Sequence, residues 1–383
     1  MTTEASGEQA VRAAVASARR VVVKVGSSSL ASARGGIDDG ALARLVDVLA
    51  AAVKAGREIV LVTSGAIAAG CEPLGLGRRP VDLAQQQAAA AVGQGLLIAR
   101  YTQAFARHGL TVAQVLLSVG DIARRTSYAN ALRTFGALTR LGVVPIVNEN
   151  DTVATREIHF GDNDRLAALV AELVRARGLV LLSDVDALYT ARPDAPGARP
   201  ISFVPKLAEL SAEIDQAGTS GVGSGGMVSK IEAAALASAA GIPVVLTSCA
   251  QVGQALAGEP VGTAFAASSH RRPRRLLWLA DASETQGRLV VDAGAVRALT
   301  TTAASLLAAG ITAVDGKFDA GDPVEVVGPD GRVIARGLVG FASHELPAML
   351  GRPSSELANE MGARFGHEVV HRDDLMLTRK VRQ

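Results

Sequence analysis

Six short apolar runs constrain this chain more than anything else in its sequence: Val21–Val25, Ile59–Val62, Val112–Leu117, Val143–Val147, Leu179–Leu182 and Pro243–Leu246. They are nearly continuous rather than alternating, which suits strands covered on both faces, as in a parallel sheet with helices on either side. Longer helix-compatible segments fall between them, such as Asp39–Ala55, Asp82–Arg107, Ser127–Leu141 and Asp162–Arg177. Strand–helix alternation on this scale predicts one doubly wound α/β domain. Ligands bind beyond the carboxyl ends of such strands, so the residues just after each run are the ones that bear on chemistry.

Near residue 270 the pattern changes. His270-Arg271-Arg272-Pro273-Arg274-Arg275 is a basic connector containing proline. Beyond it, the stretches Gly287–Val291, Gly310–Val314, Pro323–Val327, Val333–Ala335 and Gly337–Phe341 are short and apolar, with a turn signal at Pro329-Asp330-Gly331. They predict a small β-rich second domain. The expected division is 1–270 and 271–383, with residues 1–19 flexible.

Composition narrows the function classes. With 49% hydrophobic and 20% charged residues in 383, the chain is not a disordered or highly charged tail protein, and 3% aromatics imply an aliphatic core. A net charge of +2 excludes a basic surface along the whole chain for wrapping nucleic acid. Cys71 and Cys249 form no C-x-x-C pattern, which excludes a disulfide scaffold or cysteine-held structural zinc and points to a reducing cytoplasm. Residues 1–20 lack an apolar signal core, and the uncharged stretch Ala233–Gly258 is broken by Gly241-Ile242-Pro243. A span needs roughly 20 predominantly apolar residues, so no membrane segment is expected.

The strand ends are rich in candidate chemistry. Lys24-Val25-Gly26-Ser27-Ser28-Ser29 offers an ammonium group, a glycine and hydroxyls suited to phosphate, although a polar strand-to-helix turn has the same composition. Thr63-Ser64-Gly65 opens a helix of very small residues, a start that exposes unpaired N–H groups and lets a ligand approach the backbone, although an ordinary serine N-cap has the same composition. Asn148-Glu149-Asn150-Asp151 and Gly161-Asp162-Asn163-Asp164 crowd more carboxylates and amides onto neighbouring loops than helix capping needs. Ser183-Asp184 follows the fifth run, and the glycine loop Gly218–Gly226 leads into Met227-Val228-Ser229-Lys230. That loop contains G-x-G-x-x-G, but no buried strand enters it, so it is a poor dinucleotide fingerprint. A Walker A motif is absent, since Gly316-Lys317 is followed by Phe318.

His367-Glu368-Val369-Val370-His371 matches the zinc-protease signature H-E-x-x-H. The two valines and neighbouring Gly366 favour an extended segment instead. Extended, the histidines stand roughly 13 Å apart, too far to share a metal.

Taken in order, KVGSSS, VTSGAIAAG, VNENDTVAT, GDNDRLAALVA, SDVDALYT and GSGGMVSK resemble the amino acid kinase family, and within it the members that act on L-glutamate. The tail, with GRLVVDAGAVRAL, SLLAAGI and GKFDAGDPVEVV, is similar to a PUA domain. The resemblance implies a three-layer αβα sandwich on a mostly parallel sheet followed by a small β-rich PUA domain. It implies ATP-dependent phosphorylation of the side-chain carboxylate of L-glutamate, as the first step of proline synthesis, with Mg2+. Motif by motif, Lys24 and Lys230 resemble the lysines that bind ATP and neutralise the transferring phosphoryl group, and Asp164 the aspartate that orients them. Ser64, Gly65, Asp151 and Asn163 resemble glutamate contacts. Ser183, Asp184, Ser224, Gly225, Gly226, Met227, Val228, Ser229 and Lys230 resemble nucleotide contacts; relatives often carry Thr at position 183, and Ser keeps the hydroxyl. Feedback inhibition by L-proline and a homo-oligomer, dimer or tetramer, are further implications.

The chemistry fits independently. A side-chain carboxylate with a reference pKa of about 4.3 is already ionised at neutral pH and needs no general base. Two anions must instead be brought together in line and neutralised. Alternatives are a kinase for acetylglutamate, aspartate or carbamate, and an RNA-binding protein acting through the tail. Charge disfavours the last: residues 276–383 carry 11 Lys/Arg against 14 Asp/Glu, a net −3.

Overall fold

The computed structural model describes residues 2–30, 36–77, 80–123, 125–153, 163–207, 226–268, 285–302 and 304–378. They form two compact units, Met1–Ile122 with Asn130–Arg271 and Ala123–Ala129 with Arg272–Gln383. The basic connector at 270–275 lies outside the described residues.

From Thr2 to Phe265 the elements run α1 (Thr2–Ala16), β1 (Arg20–Val25), α2 (Asp39–Lys54), β2 (Glu58–Val62), α3 (Ala66–Cys71), α4 (Leu83–Ala106), β3 (Val112–Leu117), α5 (Arg125–Arg140), β4 (Val144–Glu149), α6 (Asn163–Leu173), β5 (Gly178–Ser183), β6 (Phe203–Val204), α7 (Gly226–Ala239), β7 (Val244–Ser248), α8 (Val252–Ala257) and β8 (Thr263–Phe265). All six apolar runs are strands. They belong to one eight-stranded sheet in the order β3-β4-β2-β1-β5-β7-β8-β6, parallel except where β8 pairs antiparallel with β7. Val21–Val25 of β1 are all buried, as strands covered by helices on both faces must be.

Helix starts follow capping chemistry. Asp38 accepts from the backbone N–H groups of Gly40 (2.8 Å) and Ala41 (2.9 Å), so α2 begins there, and its Leu42, Leu45, Val46 and Leu49 face the core. Such a cap contributes about 1 kcal/mol. Asp82 caps α4 in the same way through Gln85 N at 3.0 Å.

The expectation that residues 1–19 are flexible is corrected. Thr2–Ala16 is a helix whose Val11 and Val15 join the core. Arg12 is buried and donates to the carbonyls of Gly262 (3.1 Å), Glu259 (3.2 Å) and Ser202 (3.3 Å), while Arg57 donates to Val15 O at 2.6 Å. Two arginines serving distant carbonyls anchor this helix; its few apolar residues give no such signal.

The second unit is a five-stranded sheet of β9 (Gly287–Val291), β10 (Ile311–Gly316), β11 (Pro323–Val327), β12 (Val333–Leu338) and β13 (Leu375–Leu377), ordered β10-β9-β11-β12-β13. The stretch expected as a separate strand at Gly337–Phe341 is instead the end of β12 and the turn after it. His367–His371 is not helical. Val369 and Val370 are core residues of this unit, and Val370 bridges to Leu306. Among the described residues no helix is long and apolar enough to cross a membrane.

Candidate active site

Parallel strands bring their carboxyl ends to one edge, and the register fixes which residues meet there. Lys24 of β1 lies between Val62 of β2 and Leu181 of β5, and Val62 lies beside Val147 of β4. Lys24, Ser64, Asn148 and Ser183 therefore mark the ends of four adjacent strands.

An ion triad occupies the centre. Asp164, in the first turn of α6, places Oδ1 2.6 Å from Lys24 Nζ and Oδ2 3.2 Å from Lys230 Nζ. The exposures are 3% for Lys24, 4% for Asp164 and 9% for Lys230, so all three charges are below the surface. Ser229 Oγ donates to Asp164 Oδ2 at 2.7 Å, and Lys230 Nζ donates to Gly226 O at 3.0 Å, so the first turn of α7 holds its lysine against the aspartate. Among the described residues the two ammonium groups thus converge on one carboxylate, which holds them side by side in the interior.

Burial alone would raise the Asp164 carboxyl, but the charges of Lys24 and Lys230 and the bonds from Lys24 and Ser229 outweigh it and hold it below its ordinary 3.8. A depressed carboxylate stabilises the fold at pH values above its unfolded pKa, and that contribution disappears as pH falls through the lower folded value. Asp164→Asn is therefore expected to lower Tm at pH 7, with the gap to wild type narrowing as pH falls below about 4. Thermal unfolding followed from pH 7 to 3 checks this; a gap independent of pH contradicts it.

Beside the triad runs a row of side-chain amides. Asn163 Nδ2 donates to Ser64 Oγ (3.0 Å) and to Asn148 Oδ1 (3.2 Å), and Asn148 Nδ2 donates to Gln94 Oε1 at 2.6 Å. Asn163 Oδ1 is buried without a partner among the described residues. Gly65, with φ of +111°, turns the chain from Ser64 into α3, a backbone that favours glycine. Asp151 lies in the turn Asp151–Val153 after β4 and lines a cavity of about 320 Å³ with Gln94, Gln114, Leu116, Glu149 and Thr152.

Of the residues expected from sequence, Lys24, Asp164, Ser229 and Lys230 meet in the triad, with Gly226 supplying a carbonyl. Ser64 and Asn163 meet in the amide row, which touches the triad through the consecutive pair Asn163-Asp164. Ser183 donates to Asp184 at 3.0 Å at the end of β5. Met227 is half-buried and Val228 exposed on the first turn of α7. Ser224 and Gly225 lie outside the described residues, as do Gly161 and Asp162. Sequence reasoning missed Gln94 and gave Asn148 no role of its own. A glutamine in an Ala-rich helix carries no local signal, whereas Asn148 stood in a polar run already under suspicion.

Residues 19–248 match the Amino acid kinase family model. The chain belongs to that family. Residues 287–361 match the PUA domain. A glutamate 5-kinase of Salinispora arenicola (strain CNS-205) is 60% identical over 96% of this chain and 100% of its own length. Glutamate 5-kinases of Streptomyces avermitilis (strain ATCC 31267 / DSM 46492 / JCM 5070 / NBRC 14893 / NCIMB 12804 / NRRL 8165 / MA-4680) and Streptomyces coelicolor (strain ATCC BAA-471 / A3(2) / M145) are 59% and 58% identical, each over 96% of this chain and 99% and 98% of their own lengths. As an amino acid kinase, the chain uses ATP as its phosphoryl donor.

Proposed function

We propose that this chain transfers the γ-phosphoryl group of ATP to the side-chain carboxylate of L-glutamate, giving L-glutamyl 5-phosphate and ADP, the first step of proline synthesis. The observation that carries the reading is the junction at Asn163-Asp164, where a cationic cluster suited to phosphoryl oxygens adjoins an amide row suited to an amino acid. Similarity to glutamate 5-kinases over nearly the whole length supports it.

On this reading the residues take the following roles. Glutamate arrives ionised, so catalysis is in-line positioning and charge neutralisation. Lys24 and Lys230 stabilise the negative charge on the phosphoryl oxygens, and Asp164 holds both ammonium groups in place. Ser64, Gly65, Asp151 and Asn163 hold glutamate; Ser183, Asp184 and the segment from Ser224 to Lys230 hold the nucleotide. Both Asp164 oxygens are engaged by lysines, so Mg2+ is expected on the ATP phosphates with water completing its shell. The metal there would neutralise phosphate charge.

Release of ADP with L-glutamate, D-glutamate, aspartate, acetylglutamate and carbamate, each with hydroxylamine to trap an acyl phosphate, tests the reading. Preference for any acid other than L-glutamate would overturn it. Asp151→Ala and Asn163→Ala are expected mainly to raise KM for glutamate and to weaken competition by L-proline, which carries the same α-carboxylate and amino nitrogen. A rise confined to KM for ATP would reverse the two subsites.

The kinase module is proposed as residues 1–270 and the PUA module as 271–383, since every proposed site residue lies between Lys24 and Lys230. A chain ending after Phe265 is expected to keep measurable glutamate phosphorylation. A soluble, folded truncation without turnover at saturating substrates would contradict this. Exposed Val92 and Leu96 on α4 and Leu116 on the edge strand β3 support association into a homo-oligomer.

A further inference from the structure

A primary amide has an accepting end and a donating end, and in a row of amides the assignment is normally open. Here a backbone group closes it. The N–H of Glu149 can only donate, and it reaches the Asn148 side chain at 3.0 Å, so that end of Asn148 is Oδ1. The same oxygen receives Asn163 at 3.2 Å, so Asn163 must present Nδ2 to it. The second Nδ2 hydrogen of Asn163 is spent on Ser64 Oγ. What remains is Asn163 Oδ1, an acceptor buried without a partner among the described residues.

The far end of the row is Gln94, whose Oε1 accepts from Asn148 Nδ2 at 2.6 Å. Without that acceptor a buried NH2 would be orphaned, a state costly enough to rotate Asn148 toward the adjoining cavity. Rotation would take Oδ1 away from Asn163 and free the Asn163 amide to turn over. Gln94 is itself held firmly. A Cβ on the preceding Gly93 would stand 1.8 Å from Ala66 O, so α4 lies directly on α3, the helix that opens after Ser64. Both ends of the row are thus fixed by one helix contact.

We propose that Gln94 is a positioning residue for the amino-acid subsite: acting through Asn148, it fixes the polarity of Asn163 so that Oδ1 is offered to a substrate ammonium group. The consequence is selection for free amino acids over acids that lack a cationic amine. This inference rests on the reading of the site as the glutamate subsite.

The test compares L-glutamate with glutarate, which has the same two carboxylates and no ammonium. Gln94→Met is expected to raise KM for L-glutamate roughly tenfold, the loss of one hydrogen bond to a charged group. KM for ATP and the inhibition constant of glutarate should not change. Gln94→Glu retains an accepting oxygen and is expected to stay within about twofold of wild type. Gln94→Leu, which also lacks an acceptor, carries the same expectation as Gln94→Met and serves if that variant does not fold. Parallel losses for glutamate and glutarate would mark a general disturbance and overturn the proposal, as would an unchanged KM for glutamate or equal damage in Gln94→Glu. A wild-type chain that does not phosphorylate L-glutamate would sink the functional reading itself, whereas an active wild type with an unaffected Gln94→Met sinks only this inference.

Discussion

Lys24→Ala and Lys230→Ala are each expected to lower kcat by roughly 10²–10³-fold with unfolding curves close to wild type. The reacting carboxylate and phosphoryl group are both anionic, so a cation fixed in a buried site stabilises the transition state more than it would in water. Either substitution also leaves Asp164 facing one lysine instead of two, so that one carboxylate repels the incoming phosphate with only one ammonium group to offset it. The fold should survive for the same reason. One ammonium and one carboxylate remain as a balanced buried pair, unlike Asp164→Asn, which strands two like charges together. The loss belongs in kcat more than in KM because the charge involved develops during transfer. Steady-state kinetics with ATP and glutamate varied in turn, alongside urea denaturation, checks both halves. Near-normal turnover in either variant would remove that lysine from the chemistry.

Much of the kinase unit was legible because a buried parallel strand leaves a mark that tolerates little substitution. Val21–Val25 and Leu179–Leu182 must be apolar on both faces, and both are strands in the centre of the sheet. The short β6 and β8 at the sheet margin left no such mark, since strands of two or three residues need no long apolar run. The site divided along a similar line. Lys24 sits near the end of a strand, Ser64 just after one and Asp164 at the start of a helix, positions where a polar residue stands out from an apolar run. Gln94 lies inside a helix and acquires its role only because α4 crosses α3 beside the end of β2. The N-terminal helix escaped notice for a related reason: Arg12 and Arg57 bind carbonyls distant in sequence, and such bonds have no local pattern.

That helix crossing yields the largest expected loss of stability. Gly93→Ala would place its new Cβ 1.8 Å from Ala66 O and 2.5 Å from Gly70 N, both backbone atoms that cannot swing aside. Gly70→Ala meets Ala89 O at 1.9 Å from the other side. The two helices would have to separate by more than an ångström, opening a buried contact between small residues that nothing else fills. Overpacking of this kind costs about 1–3 kcal/mol and more where only backbone can yield, so about 3 kcal/mol is expected for Gly93→Ala. Helix propensity runs the other way, since alanine is favoured over glycine by about 1 kcal/mol within a helix. Gly95, two residues along in α4, has nothing within 4 Å of its would-be Cβ. Gly95→Ala should therefore be neutral or stabilising, and it measures the propensity term in the same helix. The separation also moves Ser64 relative to Gln94, so whatever fraction of Gly93→Ala folds is expected to show a raised KM for glutamate. Chemical denaturation of the two variants side by side decides the matter: a Gly93→Ala as stable as Gly95→Ala would mean that the helices do not meet as closely as these distances require.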